Sequence, residues 1–491
     1  MDRTEKPPAE MSIEEWWEIT PQKKTWADRL LGPLEQLIKQ PIFGCRMCGQ
    51  CILHETGLTC PMRCPKNLRN GPCGGVGMDG SCEVDRSRAC IWYKIVDRSA
   101  RLPLWRDDIH RRHPAVDWTL QGMSSWVSLF SRRDHRDRIS PTWQEMEVPD
   151  KGDKPLRSGS RLERLLRQGQ FVVVGDFFSA GYLTADPTVI TEDARSLAGV
   201  VDAALVMDNG MGTPFTCALA MAALAEQNGL ETVLHMTCRD RNRIGLQSDV
   251  LGAHAFGIRN ILCISGDHPA LGDHKEAKPV YDLDSVTWIA LLRRMRDEGC
   301  FDSGRLLATA LKIFIGGVIS PITPPLEYRP HRLAKKIAAG VDFVISNPVF
   351  DVEVLGRYME RIRDLGLDRK VYILINVGAL CDPGLARWLN KVQPVYAIPE
   401  ALIYRLEGVP KAKRRQEGLQ ICVEQIQQVR EMPGVSGIQI GLVQPDVYSV
   451  SDIVEAAGLS KRPVLVDERE AGSQRLQGVH LRGTPSPGAL E

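Results

Sequence analysis

From residue 161 onward, continuous apolar runs alternate with segments of helical periodicity. The eight runs are FVVVGDFF (171–178), AALVMD (203–208), TVLHMTC (232–238), NILCISG (260–266), ALKIFIGGVIS (310–320), DFVISNPVF (342–350), VYILINVGA (371–379) and GIQIGLV (437–443). Runs rich in β-branched residues are typical of strands buried on both faces of a parallel sheet. Eight strand–helix units within about 300 residues predict an α/β fold of the (β/α)8 TIM-barrel type, with an open doubly wound sheet as the alternative.

The chain before residue 161 follows different patterns. Apolar residues recur at helical spacing from residue 11 to residue 40, and we expect helices that pack on the next segment through Trp16, Trp17, Trp26, Leu30, Leu34 and Leu37. Residues 41–95 are rich in Cys, Gly and Pro, which predicts a small domain held together by metal. We therefore divide the chain into a cysteine-rich module (1–130), a charged linker (131–160), the barrel (161–467) and a disordered tail (468–491).

The bulk composition excludes several classes of protein. Lys and Arg number 62 against 61 for Asp and Glu, and the net charge of +1 does not suit a nucleic-acid binder. No apolar stretch approaches the roughly 18–20 residues that span a bilayer, and the first residues do not resemble a secretion signal. We expect a cytoplasmic protein without a membrane or nucleic-acid partner. The sequence leaves the oligomeric state open, with a homo-oligomer among the options.

Eight of the fourteen cysteines lie close together near the start of the chain. They are Cys45, Cys48, Cys51, Cys60, Cys64, Cys73, Cys82 and Cys90. Three thiols at two-residue spacing, with a Cys-Pro pair further along, are typical of iron–sulfur ligation, and a [4Fe–4S] cluster is the first expectation. Disulfides are disfavoured in a chain without an export signal. Zinc is the alternative, since eight cysteines suffice for two tetrahedral sites.

Polar residues follow several of the predicted strands. Asp176 ends the first run, His235 lies in the third, Gly266 and Asp267 follow the fourth, and Asn347 follows the sixth. Each also fits a turn or a hydrogen-bonded core position, but strand ends of a barrel meet on one face and build the active site there. The chain has no GxGxxG motif opening a βαβ unit and no GxxxxGK[ST] motif, so a flavin or nicotinamide would have to bind in the barrel mouth.

Residues 235–269, HMTCRDRNRIGLQSDVLGAHAFGIRNILCISGDHP, closely resemble the methylenetetrahydrofolate reductase barrel. Residues 278–286, 335–351 and 398–408 look like later blocks of the same pattern. Residues 45–84 resemble the cysteine-rich partner subunit found with some bacterial reductases of this type, which is associated with iron–sulfur clusters. The likeness implies that the two proteins are fused in this chain.

The resemblance also implies a cofactor and its site. It implies a flavin, FAD or FMN, that moves a hydride between NAD(P)H, or an electron carrier such as ferredoxin, and the one-carbon unit of tetrahydrofolate. His235, Gly266 and Asp267 match positions beside the flavin, and Asp267 would sit near its ring, where a negative charge tunes the redox potential. Lys335 and Lys336 match a basic pair near the flavin phosphate.

Two positions depart from the family pattern. Asp176 stands where the family has the Glu proposed as the acid for the folate nitrogen, and Asn347 stands where it usually has a folate-binding Gln. Both keep the chemical group and shorten it by one methylene, and a misplacement of about 1 Å can cost on the order of 100-fold in rate.

The predicted function is a flavin enzyme that interconverts 5,10-methylenetetrahydrofolate and 5-methyltetrahydrofolate, with Asp176 and Asp267 as catalytic residues and the N-terminal module relaying electrons. The alternatives are a folate-binding or electron-transfer homologue with lost or altered reductase activity, and a barrel that takes hydride from a nicotinamide without a flavin.

Overall fold

The structure is a computed structural model that describes residues 24–178, 182–393, 395–445 and 447–465. The predicted tail (468–491) and the predicted helix residues Trp16 and Trp17 lie outside the described residues.

All eight predicted strand segments form strands of one parallel sheet. The strands are β1 (Val172–Asp176), β2 (Ala203–Val206), β3 (Thr232–Thr237), β4 (Asn260–Ile264), β5 (Phe314–Ile319), β6 (Phe343–Ser346), β7 (Tyr372–Val377) and β8 (Val435–Ile440). They pair in sequence order, and β8 pairs with β1, which closes the sheet into a barrel. The (β/α)8 prediction is thereby confirmed, and the open doubly wound sheet is excluded.

Helices surround the barrel and build the N-terminal module. They are α1 (Trp26–Phe43), α2 (Ile91–Arg101), α3 (Ser125–Phe130), α4 (Arg161–Arg167), α5 (Pro187–Leu197), α6 (Ala218–Gln227), α7 (Arg243–Ala255), α8 (Ser285–Asp297), α9 (Arg329–Ala339), α10 (Val352–Asp364), α11 (Pro383–Val392), α12 (Glu400–Glu407), α13 (Arg414–Glu431) and α14 (Val450–Ala456). The large core lies between the sheet and the helices around it. A smaller core fills the barrel interior, and Leu162, Leu165 and Leu166 of α4 pack into it from the amino-terminal end of the strands. Burial of these apolar side chains is the main stabilising term of the barrel.

The N-terminal module lies on the barrel through buried polar contacts. The Asp284 carboxylate caps α8 through Oδ1, while Oδ2 accepts from the backbone nitrogens of Arg69 and Asn70 at 3.2 and 3.1 Å. On α9, the Arg332 guanidinium donates to the Asn70 carbonyl (2.7 Å) and the Arg329 guanidinium donates to the Cys73 carbonyl (3.0 Å). A buried group whose partner is removed costs about 1–3 kcal/mol, so these contacts fix the module's position.

Helix α1 forms where the sequence predicts it, but the face that packs on the module was predicted wrongly. Trp26, Leu30, Leu34 and Leu37 are exposed, and the buried residues of α1 are Asp28, Gly32, Glu35 and Lys39. The periodicity predicted the helix correctly. It could not show that the charged side of the helix would be buried by its polar partners.

The segment predicted as a linker, residues 131–160, contains short 3-10 turns and runs from the module to the barrel. It is bound to the barrel where Lys151 Nζ donates to the Asp368 carbonyl (2.9 Å) and Lys154 Nζ donates to the Lys370 carbonyl (2.9 Å). No helix in the part of the chain that the structure describes has the length and apolarity needed to cross a membrane.

Candidate active site and cysteine sites

A cavity of about 310 Å³ opens at the carboxyl ends of the strands, and we call it the mouth cavity. This volume lies within the range of small-molecule sites. Among the residues predicted for catalysis, cofactor or substrate, those that line it are Asp176, His235, Gly266, Asp267, Lys336 and Asn347. Five of these six belong to strands or strand ends and meet on one face as expected, and Lys336 reaches the same cavity from α9. The individual roles of all six remain predictions.

Asp176 ends β1 as a buried carboxyl group, 4% exposed. Its Oδ1 accepts from Gln439 Nε2 on β8, and its Oδ2 accepts from the backbone nitrogen of Leu442, both at 2.8 Å. Burial disfavours the charged form and raises the pKa of Asp176 to about 7, although both hydrogen bonds oppose that rise. A carboxyl group with this pKa is well suited to proton transfer near neutral pH.

His235 lies on β3 and faces the same cavity as a neutral imidazole. Burial lowers the pKa of His235 to about 4, against the pull of Asp208 and Asp267. Its Nδ1 has no hydrogen-bond partner among the described residues. A buried ring nitrogen that points to no protein group is available to a ligand.

Gly266 and Asp267 form the turn after β4. Gly266 has φ +83°, and a Cβ there would come within 3.1–3.2 Å of Thr237 and Arg239, so the turn requires glycine. One Asp267 oxygen accepts from the backbone nitrogen of Met211 (3.1 Å), which links this turn to the one after β2.

Only one lysine of the predicted phosphate-binding pair reaches the cavity. Lys336 lines it and donates to the Val318 carbonyl at 2.6 Å. Lys335 is buried at the interface with the module, with Nζ 5.9 Å from the ring centroid of Trp92 and 5.8 Å from that of Tyr328. Burial lowers the pKa of each lysine to about 7.

The module supplies one wall of the mouth cavity. Lys66 Nζ donates to the Gly266 carbonyl (2.7 Å) and forms a buried ion pair with Glu83. Gly74 lies so close to the barrel that a Cβ there would be 2.4 Å from Asn347 Nδ2. The Asn347 amide in turn donates to Ser320 Oγ at 2.8 Å. The cavity is therefore shared between module and barrel.

The eight clustered cysteines fall into two groups around two separate cavities. The first thiol set is Cys45, Cys48, Cys51 and Cys60, and the second thiol set is Cys64, Cys73, Cys82 and Cys90. Burial, with smaller contributions from the other thiols of its set, raises the pKa of Cys45 to about 11. Burial, with a smaller contribution from Cys90, likewise raises the pKa of Cys64 to about 12.

The two thiol sets differ in their position relative to the barrel. The cavity of the second set has a volume of about 280 Å³ and shares Lys66, Cys73, Gly75 and Glu83 with the mouth cavity. The cavity of the first set shares no lining residue with the mouth cavity among the described residues. The second set is therefore the one that adjoins the barrel site.

The thiol sets differ in how well they suit the two predicted metal groups, zinc and an iron–sulfur cluster. Within the described residues, no three Cys, His, Asp or Glu side chains converge to hold a single metal ion. Four thiols around a cavity suit a cluster in their number and chemistry, and the second cavity, at about 280 Å³, also has room for one. The first cavity is about 20 Å³, so its thiols would have to move outward to admit a cluster. Arg69 is 4% exposed and lines the first cavity, and its Nε and Nη1 have no partner among the described residues. Unpaired guanidinium donors suit an anionic group beside them.

Sequence reasoning missed several groups at this site. Gln439 had a local signal, because it is the polar residue inside the apolar run of β8. Tyr396 lines the cavity, and burial, with Asp176 and Asp267, raises its pKa to about 12. Lys66 and Gly74 had no local signal, because only the docking of the module brings them to the barrel.

Comparison with known proteins gives two family matches. The model described as "Methylenetetrahydrofolate reductase" matches residues 190–444, and one described as "Methylene-tetrahydrofolate reductase C terminal" matches residues 26–119. A "Probable methylenetetrahydrofolate reductase (NADPH)" of Caenorhabditis elegans is 25% identical over 43% of this chain and 31% of its own length. A "5,10-methylenetetrahydrofolate reductase" of Pectobacterium carotovorum subsp. carotovorum is 28% identical over 30% of this chain and 44% of its own length.

The chain thus spans less than half the length of these curated relatives. Among solved structures, a Clostridium thermocellum protein described as binding two copies of 5-methyl-5,6,7,8-tetrahydrofolic acid is similar at 11% identity and a TM-score of 0.42. That similarity covers 61% of this chain and 99% of the other.

Proposed function

Because the chain belongs to the methylenetetrahydrofolate reductase family of oxidoreductases, we propose that it interconverts 5,10-methylenetetrahydrofolate and 5-methyltetrahydrofolate in the mouth cavity. The observation that carries the proposal is Asp176, a buried carboxyl group at the end of β1 whose pKa is raised to about 7. Reduction of the methylene group consumes two electrons and two protons and breaks one carbon–nitrogen bond of the five-membered ring.

In this proposal Asp176 supplies the proton that the departing folate nitrogen needs as the ring opens. A raised pKa keeps part of the carboxyl population protonated near pH 7, and Gln439 and Leu442 hold the group in place. General acid catalysis of this kind contributes about 100- to 10,000-fold. In the oxidative direction the carboxylate takes that proton back.

The mouth cavity suits a flavin, which as the hydride carrier of the reaction would exchange one or two electrons at a time when bound. His235 would face it with its free Nδ1, and the Gly266–Asp267 turn would place a carboxylate beside it. Lys336 lines the same cavity, and an anionic group of the cofactor beside it would favour its charged form. Chemical analysis of the bound cofactor distinguishes FAD, FMN and a nicotinamide alone.

We further propose that each thiol set holds one iron–sulfur cluster. Metal analysis distinguishes this from zinc binding. The four-thiol composition of each cavity and the unpaired donors of Arg69 support a cluster. The position of the second set beside the mouth cavity supports a relay in which it exchanges electrons with the barrel and the first set exchanges them with a donor outside.

The test is an anaerobic visible spectrum with iron, sulfide, zinc and flavin quantified on one sample, followed by addition of 5-methyltetrahydrofolate. We expect flavin, iron and sulfide, with bleaching of the flavin by the folate. A protein that contains flavin but whose flavin spectrum does not change on addition of 5-methyltetrahydrofolate would contradict the reductase assignment. Zinc without iron or sulfide would contradict the relay.

A second candidate, a folate-binding homologue with altered activity, is favoured by the environment of Asn347. Its amide is covered by Gly74 and already donates to Ser320. Changing Asp176 to Glu together with Asn347 to Gln separates the two. Activity that appears only in the double variant would favour the second candidate, and activity in the unmodified chain favours the first.

A further inference from the structure

Helix α1 presents an apolar face to solvent, and we call it the outer face of α1. Its exposed side chains are Trp26, Leu30, Leu34, Leu37, Ile38 and Ile42. Trp26 is 79% exposed and Leu37 is 74% exposed. An ordinary surface helix buries its apolar stripe and exposes its charged one. A contiguous exposed apolar stripe marks an interaction surface.

The inverted orientation of α1 is fixed by polar partners on its inner side. Asp28 pairs with Arg133 at 3.1 Å and closes a capping box with Thr25. Glu35 pairs with Lys39 at 2.7 Å, and its second oxygen accepts from Ser124 at 2.6 Å. Since removal of one partner from a buried charge pair is strongly destabilising, the charged stripe is held inward. Because the charged stripe faces inward, the apolar stripe of α1 faces outward.

Helix α1 lies against the first thiol set with its inner side, so the helix separates its outer face from the thiols. Glu35 of α1 and Ser125 of α3 line the cavity of that set, and α1 ends at Phe43, just before Cys45. The thiols of Cys45 and Cys51 belong to residues that are partly exposed. A protein bound on the outer face would therefore be separated from the thiol set that lies away from the barrel by the width of one helix, about 10–12 Å.

The charges around the outer face are of one sign. Between residues 24 and 46 the exposed charged residues are Lys24, Arg29 and Arg46, and both carboxylates of that stretch are buried. An apolar centre with a basic rim is complementary to a protein with an acidic rim. The helix is about 27 Å long at 1.5 Å per residue, which suits the small interfaces of transient redox complexes.

We propose that the outer face of α1 docks a small acidic one-electron carrier protein that delivers electrons to the first thiol set. This inference rests on the proposed function, because it assigns the outside donor of the relay. Two successive one-electron deliveries supply the two electrons that reduction of one methylene group consumes, and the carrier is oxidised once in each. Its acidic rim would speed the encounter through long-range attraction.

The test measures binding and turnover separately, with full-length protein holding its metal and flavin and an acidic [4Fe–4S] ferredoxin as the probe. The Leu30→Asn/Leu37→Asn double variant removes apolar contact, and Arg29→Glu reverses one rim charge. The matched control is Phe256→Asn, an exposed apolar residue 52% accessible at the amino-terminal end of the barrel. Binding is followed by calorimetry at low salt, and turnover is driven either by ferredoxin or by reduced methyl viologen, which needs no docking surface.

We expect the double variant to raise the ferredoxin Kd at least tenfold and Arg29→Glu to flatten its salt dependence, with the loss confined to ferredoxin-driven turnover. Phe256→Asn should bind like the unmodified protein. Unchanged binding in the double variant overturns the inference. A dimer in analytical ultracentrifugation that the double variant dissociates also overturns the inference, because another copy of the chain would then cover the face. A tighter ferredoxin complex after deletion of residues 1–22 overturns it as well, because that segment would then cover the face. Absence of viologen-driven folate turnover in the unmodified protein refutes the proposed function instead.

Discussion

Replacement of Asp176 by Asn tests the proposed acid with little change in shape. Gln439 Oε1 has no partner among the described residues, so its amide can turn and accept from the new Asn while the Leu442 contact stays. We expect kcat in the reductive direction to fall about 100- to 10,000-fold, which corresponds to about 2.7–5.5 kcal/mol of barrier. Single-turnover reduction of the methylene group, with the flavin spectrum as the signal, measures the loss.

The same substitution lowers the rate but should raise the stability of the folded chain, relative to the unmodified protein, as the pH increases. Raising the pKa of Asp176 from 3.8 to about 7 means that the folded chain keeps a proton that the unfolded chain loses. The contribution is fully present below pH 3.8 and is lost as the pH rises through about 7, and its size is on the order of 4 kcal/mol. The Asn variant has no such dependence. Its urea midpoint, measured relative to the unmodified protein, should therefore rise between pH 4 and pH 8.

Two results would refute this reasoning. One is an Asn variant that keeps more than a tenth of the unmodified rate. The other is a stability difference that does not change between pH 4 and pH 8, because a carboxyl group with an ordinary pKa would give that result.

Three further substitutions test the rest of the site. Gln439→Met removes a hydrogen bond that lowers the acid's pKa, so the alkaline limit of the pH–rate profile should move to higher pH, and an unmoved limit would contradict the contact. Gly74→Ala places a methyl group 2.4 Å from a barrel amide, and we expect at least a tenfold loss of folate affinity by fluorescence titration, while Gly152→Ala, with nothing within 4 Å, should bind normally. Cys73→Ser should remove about half of the bound iron and sulfide measured chemically, whereas Cys422→Ser, a buried barrel cysteine outside both thiol sets, should remove none.

The site was readable from the sequence wherever a residue sits at a strand end. Asp176, His235 and Asp267 could be placed together because the carboxyl ends of barrel strands share one face. Their chemistry could not be read in the same way. The pKa of Asp176 depends on burial and on a donor more than 260 residues away in the chain, which no local pattern encodes.

Local patterns also do not show which side of a helix faces a cavity or a core, and this explains the wrong predictions for Lys335 and for the apolar stripe of α1. Lys335 and Lys336 are neighbours in sequence, but successive helix positions point about 100° apart, and only Lys336 faces the cavity. For α1, helical spacing identified the apolar stripe but not the side of the helix that packs. Polar contacts with residues from outside the helix decided that: the Asp28–Arg133 ion pair and the hydrogen bonds of Glu35 with Ser124 and of Lys39 with Ser125.

The sequence by itself determined the elements: eight buried strands, the helices between them, and a cysteine-rich module whose spacing predicts metal ligation. These follow from local periodicity and residue chemistry, which each segment carries within itself. The tertiary structure decided barrel closure, the division of eight cysteines into two sets, and the placement of Lys66 and Gly74 at the barrel mouth. It also set the charge state of Asp176. Each of these depends on contacts between distant segments and on exclusion of water, and both arise only when the chain is packed.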